Sequence, residues 1–494
     1  MDYLDLTIEE MNQLIKDKKV TKEDLVEESL RRAIKYQAEF NSFVTINNNA
    51  QEDVKKLELD NDNPLYGIPY ALKDNISTKG ILTTASSNIL KDYTPFFDAT
   101  VVEKLKESGA ILIGKAILDE LAMGGSGTTG HTGIVPNPWD KSRIIGGSSA
   151  GSASAVALGI VPFAIGSDTG DSIRKPAAFG GIVGFKPTYG RISRYGLFPF
   201  ACSLDHIGCL TRSVKDTAYV IDAIKGKDEK DMTSLPNDDK IYSNLLNGKV
   251  KGKKLCYIKE IVDIDNYINC EDEELLYTLN HFKSVIKNCE EAGMIVEGIS
   301  LKKELLNALF PSYITISCAE ATSNNANLTG IIFGSREEGN SIDDIMINAR
   351  TKGFSEMIKR RFILGSYVLQ KENQEKLFFN ALRIRRLIVE KINEIFKIYD
   401  GLILPTSGGI APKIGEDSDK LSDRYLLIEN HLVIGNFGGF PSISIPSGFY
   451  NEMPISVNIT GRLFEDDIVL NMAYALEERM GLKGMLAKGV TKNV

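Results

Sequence analysis

Histidine is scarce in this chain: there are four in 494 residues (His131, His206, His281 and His431), none in an HExxH pattern. Metal chemistry has little imidazole to draw on, and a nucleophile that relies on a histidine base has few candidates. Cysteine is nearly as rare. The six thiols (Cys202, Cys209, Cys256, Cys270, Cys289, Cys318) never form a CxxC pair, which argues against a disulfide scaffold or a zinc site and for reduced, intracellular thiols. No apolar run reaches the ~18 residues of a membrane span. The opening MDYLDLTIEE is acidic and amphipathic, unlike a secretory signal, so a cytoplasmic protein is expected. Excess positive charge is missing too. With Lys+Arg 58 against Asp+Glu 66, the formal net charge of -8 opposes strong direct binding to nucleic-acid phosphates. There is no internal repeat and no low-complexity segment.

What the chain does have is a long stretch of Gly, Ser and Ala. From Gly146 to Pro187 it reads GGSSAGSASAVALGIVPFAIGSDTGDSIRKPAAFGGIVGFKP. Such residues let the backbone approach itself and a ligand closely, whereas a flexible linker would lack the apolar runs between the glycine clusters. We read it as a catalytic bed: two glycine-serine loops, at 146–151 and 167–172, joined by an apolar helix and strand.

Around this bed the patterning predicts alternating helices and strands. Helices are expected over 5–17 and 22–38, the second capped by Thr21 with Glu23 and Asp24 in its first turn. A short helix and loop (47–63) precede the strand PYALK (69–73), a helix (100–108) and a strand (110–114). A Gly- and Thr-rich stretch (118–140) leads into the bed, and a Gly/Arg/Tyr loop (190–202) and a helix (214–224) follow it. Residues 226–252 read as a surface loop. Strands at 254–258 and 295–298 flank a helix over 271–292; helices dominate 301–328 and 355–398; strands at 402–405, 442–446 and 455–459 lead to a closing helix over 465–480. The alternation predicts an α/β fold in helix–sheet–helix layers with mostly parallel strands.

Four motifs invite a chemical reading. Gly147-Ser148-Ser149-Ala150-Gly151 matches the G-x-S-x-G nucleophile elbow, with Ser149 attacking and His206 beside Asp205 as partners; the elbow needs a preceding strand, and DKSRII makes a poor one. Ser172-Ile173-Arg174-Lys175 matches S-x-x-K, but the companion K-T-G and Ser-Asp-Asn are absent. GAILIGKA at 109–116 approaches a phosphate loop, yet its interior reads as a buried strand and the final hydroxyl is missing. The fourth reading combines Lys73, Ser148 and Ser172. A serine nucleophile without histidine can use a lysine whose pKa desolvation lowers, and Lys73 ends the apolar run IPYALK. A second serine can relay the proton. The backbone amides of Thr169, Gly170, Asp171 and Ser172 precede a predicted helix and could stabilise an oxyanion.

These residues carry a resemblance. GGSSAGSA followed by GSDTGDSIRKPAAFGGIVGFKPTYG is similar to the signature segment of the amidase signature family, and the likeness runs from about residue 4 to the final helix. It implies a single domain around a large mixed β-sheet flanked by helices, with 1–62 an N-terminal helical segment, 63–230 the signature core, and 231–494 the rest of the sheet and the substrate-pocket helices. It implies a Ser–cis-Ser–Lys triad, with Ser172 as nucleophile, Ser148 as bridge after a cis peptide and Lys73 as base. Within the family, GRISRYGLFPFACSLDHIGCLTR (190–212), the N-terminal helices and the stretch from Tyr313 to Asn325 resemble the glutamine-hydrolysing subunits of tRNA-dependent amidotransferases. That likeness implies glutamine as substrate and two partners, the B and C subunits of such a complex; the alternatives are a stand-alone amidase of the same family acting on a small amide, and a catalytically silent scaffold subunit. It also implies a mischarged tRNA, ATP and magnesium handled by the B partner, and no cofactor or metal on this chain. It places Tyr313, Arg361 (with Arg360 as rival) and Glu429 at the α-carboxylate and α-amino end of glutamine, and Met123 and Gly124 along the acyl pocket, with Ser149 and Thr169 supporting the bed. One departure stands out: the family's Gly-Gly-Ser is Gly170-Asp171-Ser172 here. A carboxylate facing a developing oxyanion in a dry site is unfavourable, so the Asp171 side chain is expected to turn away.

Overall fold

PYALK is buried at every position, the mark of a strand covered on both faces. The computed structural model describes residues 3–58, 62–263, 267, 272–416 and 428–487. Its strands are β1 (Phe43–Ile46), β2 (Pro69–Lys73), β3 (Ile111–Ala116), β4 (Phe163–Asp168), β5 (Val183–Lys186), β6 (His206–Thr211), β7 (Lys254–Ile258), β8 (Ile295–Ile299), β9 (Gly401–Pro405), β10 (Ser442–Tyr450) and β11 (Met453–Gly461). They form one 11-stranded sheet in the order β1-β3-β2-β4-β6-β5-β10-β11-β9-β7-β8.

The sheet is mixed, and the expectation of mostly parallel strands is corrected. Only β2–β3, β2–β4, β7–β8 and β7–β9 pair in parallel; the remaining pairs are antiparallel. β6 follows β5 through the irregular stretch 187–205 and inserts between β5 and β4, antiparallel to both, and β10 turns directly into β11 at residues 451–452, which makes them antiparallel neighbours. Side chains alternate across the sheet as a period of two demands: Tyr70, Leu72, Phe163 and Ile165 join one buried cluster, Ala71 and Ala164 the other.

The helices form where the pattern and caps place them. Thr7 and Thr21 close capping boxes with Glu10 and Asp24 at the heads of Ile8–Lys16 and Lys22–Phe40. Residues 226–252 are not all loop, because Tyr242–Leu245 makes one helical turn. Its head is held by the Asp222 carboxylate, which accepts from the Tyr242 and Ser243 amides. The helix expected over 271–292 runs Glu273–Glu291, capped by Asp272; Glu271 and Cys270 lie outside the described residues, as do 59–61 of the segment expected over 47–63. Among the described residues no helix is long and apolar enough to cross a membrane.

One consequence of topology positions the chemistry. β2 and β4 run parallel, Tyr70 against Phe163 and Leu72 against Ile165, so their C-terminal ends, Lys73 and Asp168, share one edge. The helix Ala150–Ala157 precedes β4 and packs on it, which brings its own N-terminal end, with Ser148 and Ser149, back to that edge. Ligand sites in α/β sheets gather at such carboxyl ends.

Candidate active site

Lys73 is fully buried. Its Nζ donates to Ser148 Oγ at 2.8 Å, Ser167 Oγ at 2.9 Å and the Ser167 carbonyl at 3.1 Å. Burial pushes its amine down to about 7, against the carboxylates of Asp168, Asp119, Asp205 and Asp171, which favour the ammonium. In the neutral form its two N–H groups can serve the Ser167 hydroxyl and carbonyl, which leaves the lone pair to accept from the Ser148 hydroxyl, as a general base requires. Ser148 is also buried, and the Gly147–Ser148 peptide bond is cis. The Ser149 amide donates to the Ser172 carbonyl at 3.2 Å, which ties the two serine loops together. Among the described residues, the Gly170, Asp171 and Ser172 amides find no protein acceptor, and so they remain available to an oxyanion. Thr169 donates its hydroxyl to Asp205 Oδ1 at 2.7 Å.

The 167–172 loop is anchored by Arg174, wholly buried at the start of the helix Arg174–Gly180. Its guanidinium donates to the Asp168 carboxylate (3.0 and 3.1 Å), the Gly170 carbonyl (2.8 Å), Asn436 Oδ1 (2.7 Å) and the Leu432 carbonyl (2.8 Å). Burial alone would raise the Asp168 carboxyl. The Arg174 charge and the Ile173 amide outweigh it and hold Asp168 ionised, well below the usual carboxylate range. Buried charges this well paired fix geometry more than they add stability. A second anchor is Asp119, also buried, whose carboxylate accepts from the Ser126, Gly127, Thr128 and Thr129 amides and the Thr129 hydroxyl. Its own amide donates to the Ser148 carbonyl at 3.1 Å, and a Cβ on Gly147 or Gly124 would collide with its side chain. Asp119 thus shapes the loop that carries Met123, fully buried, and Gly124, half-buried. Asp119, Ser167, Arg174 and Asn436 were not singled out from the sequence. Asp119, a lone carboxylate at the head of a Gly- and Thr-rich stretch, carried the one available signal.

Of the residues assigned to the α-carboxylate and α-amino end of a substrate, Tyr313 and Arg361 lie near enough for the Arg361 charge to act on the phenol, while Glu429 stands beside Lys175. The Tyr313 ring packs on Gly170, where a Cβ would lie 2.9 Å from its Cζ, and burial pushes its phenol up. The Arg361 guanidinium lies 5.6 Å from the Phe200 ring centroid, and its buried Nη1 has no hydrogen-bond partner among the described residues. Arg360 is exposed and Arg361 half-buried. Glu429 Oε1 accepts from the Gly408 amide at 2.7 Å, and Oε2 lies 3.2 Å from Lys175 Nζ. The Asp171 carboxylate forms an ion pair with Lys175 at 3.3 Å, its side chain a quarter exposed. Burial raises its carboxyl and Lys175 draws it back.

The rival motifs find other employment. Ser149 donates its hydroxyl to the Ser167 carbonyl. His206 turns Nδ1 to the Leu204 carbonyl, and burial keeps its ring far below the ordinary histidine value. Lys175 bonds to carboxylates rather than to Ser172, and GAILIGKA is strand β3, its Lys115 paired with Asp74 at 3.5 Å inside the core.

A family model described as Amidase matches residues 24–470. The A subunit of glutamyl-tRNA(Gln) amidotransferase from Halothermothrix orenii is 41% identical over 488 residues, covering 98% of this chain and 99% of that protein. The protein so described from Geobacillus kaustophilus is 40% identical, covering 97% and 98%. Among solved structures, the A subunit of glutamyl-tRNA(Gln) amidotransferase from Thermotoga maritima superposes with a TM-score of 0.79 at 36% identity, covering 97% of this chain and 95% of that one. Peptide amidase of Stenotrophomonas maltophilia, at 24% identity and TM-score 0.81 over 97% of each chain, shares the fold. The chain belongs to the amidase family.

Proposed function

We propose that this chain hydrolyses the side-chain amide of glutamine and delivers the ammonia within a tRNA-dependent amidotransferase, as its A subunit. The observation that carries the chemistry is the buried Lys73 amine hydrogen-bonded to Ser148, one tied loop away from Ser172. The full-length likeness to the A subunits of glutamyl-tRNA(Gln) amidotransferases supports the substrate and the assembly. Ser172 Oγ attacks the amide carbon while its proton passes through Ser148 to neutral Lys73. The oxyanion sits against the amides of the 169–172 loop. The intermediate collapses, the C–N bond breaks, and Lys73, through Ser148, returns the proton to the departing nitrogen as ammonia. Water, activated by the same relay, then cleaves the γ-glutamyl ester. Arg361 and Tyr313 hold the substrate's α-carboxylate end and Glu429 its ammonium.

In this reading the ammonia passes to the B partner, which uses ATP and magnesium to amidate Glu-tRNA(Gln) or Asp-tRNA(Asn). The small C partner completes the heterotrimer, this chain binds no cofactor of its own, and the complex works in the cytoplasm. The test is ammonia release from glutamine by the co-purified complex, with Ser172→Ala alongside. Loss of release in the variant supports the reading; release that survives it, or a wild-type complex that never releases ammonia from glutamine, refutes it.

A further inference from the structure

Lys175 stands one helical turn after Asp171 and shares its ammonium between two carboxylates. It lies 3.3 Å from Asp171 Oδ2 and 3.2 Å from Glu429 Oε2, and it donates to the Glu429 carbonyl at 2.8 Å. Asp171 is the residue immediately before Ser172, and Glu429 is fixed from its far side by the Gly408 amide. Two anions therefore converge on one cation at the rim of the nucleophile loop. The Arg361 guanidinium, whose charge acts on the Tyr313 phenol and whose Nη1 has no hydrogen-bond partner among the described residues, offers the complementary positive charge. A primary ammonium held by two carboxylates is also the chemistry that an amino-acid substrate presents at its α-nitrogen. Lys175 is a long, flexible cation, so its amine can leave this position for solvent without moving the helix.

Resting on the glutamine reading above, we infer that Lys175 is a specificity-determining residue: its amine occupies the place of the substrate's α-ammonium between Asp171 and Glu429, and so reduces how strongly the site demands that group. A substrate ammonium must displace the lysine before it pairs, which lowers the population of the competent site and raises the apparent dissociation constant. An amide without an α-ammonium escapes that competition. Lys175 acts on KM through two carboxylates and does not take part in the proton relay, which runs through Lys73.

The experiment compares two amides that differ only at the α-nitrogen, glutamine and 4-carbamoylbutanoate, using the co-purified complex with wild-type chain, Lys175→Gln and Lys175→Arg. For K175Q the KM for glutamine is expected to fall about tenfold, as removal of a site-filling group predicts, while the KM for 4-carbamoylbutanoate stays within about twofold. K175R, which keeps the charge, retains the wild-type ratio. Lys175→Met is the second neutral variant, with the same expected outcome, should K175Q fold poorly. An equal change for both amides, or an unchanged KM for glutamine, overturns the inference and leaves the glutamine reading standing. Failure of the wild type to hydrolyse either amide removes that reading and the inference with it.

Discussion

Neutralising Asp171 should move the acid limb of the pH–rate profile downward. The argument starts at Lys73, whose amine burial lowers to about 7. An ordinary lysine near 10.4 would be only ~0.04% neutral at pH 7, whereas a group titrating at 7 is about half neutral, a gain of roughly a thousandfold in available base. The kcat/KM for ammonia release should therefore climb about tenfold per pH unit below 7 and level off above it. Four carboxylates oppose the desolvation by favouring the ammonium, and Asp171 is the weakest of them. Asp171→Asn removes that support and lowers the Lys73 value further, so the limb shifts to lower pH. The shift stays under about one unit, because Lys175 already offsets the charge and the effective dielectric at such sites is about 20. The assay is continuous ammonia release at saturating and limiting glutamine from about pH 5 to 9 (roughly two units either side of the expected value), read as kcat/KM. A wild-type limb near 10 would show that Lys73 is not a desolvated base. A limb that rises in Asp171→Asn would show that the carboxylate does not act through Lys73.

Two further outcomes follow from buried carboxylates. Asp119→Ala strands the amides of Ser126, Gly127, Thr128 and Thr129. At about 1–3 kcal/mol for each buried donor left unsatisfied, partly relieved by water, the loss should be about 3 kcal/mol or more in urea unfolding; wild-type stability in this variant would refute the anchoring role. Asp216 and Glu477, raised by burial to about 7 and about 8, stay protonated in the fold where the unfolded chain is ionised. Their contribution is complete below about pH 4 and is lost as pH rises to about 8, so Asp216→Asn should flatten the decline of the urea midpoint across that window, and an unaltered slope would count against it.

The sequence made legible whatever is local. PYALK, Lys254–Ile258 and Val214–Ile224 carry their own period and burial, and their ends fall where the pattern predicts. Strand direction is not local. HIGCLT (206–211), rich in small residues, gave no sign that it would run antiparallel to both β4 and β5. The same distinction divides the site. Lys73, Ser148 and Ser172 stand in compact motifs, while Arg174 owes its role to Leu432, Asn436 and Ser442, more than 250 residues away. Arg360 and Arg361 are neighbours on a helix, about 100° apart; only packing shows that the second turns inward.

Asp171 lies between these cases. The sequence marks it as a departure beside the nucleophile, and its partner sits at i+4, the spacing at which opposite charges on a helical turn meet. The two residues therefore form one unit. An unpaired Asp171 carboxylate would hold the Lys73 ammonium more tightly and deprive the relay of its base near neutral pH. Lys175 offsets that field, but in doing so it fills the position between Asp171 and Glu429 that a substrate ammonium requires. The aspartate acts mainly on the proton relay and the lysine on substrate selection, and each of these effects is set by the charge of the other.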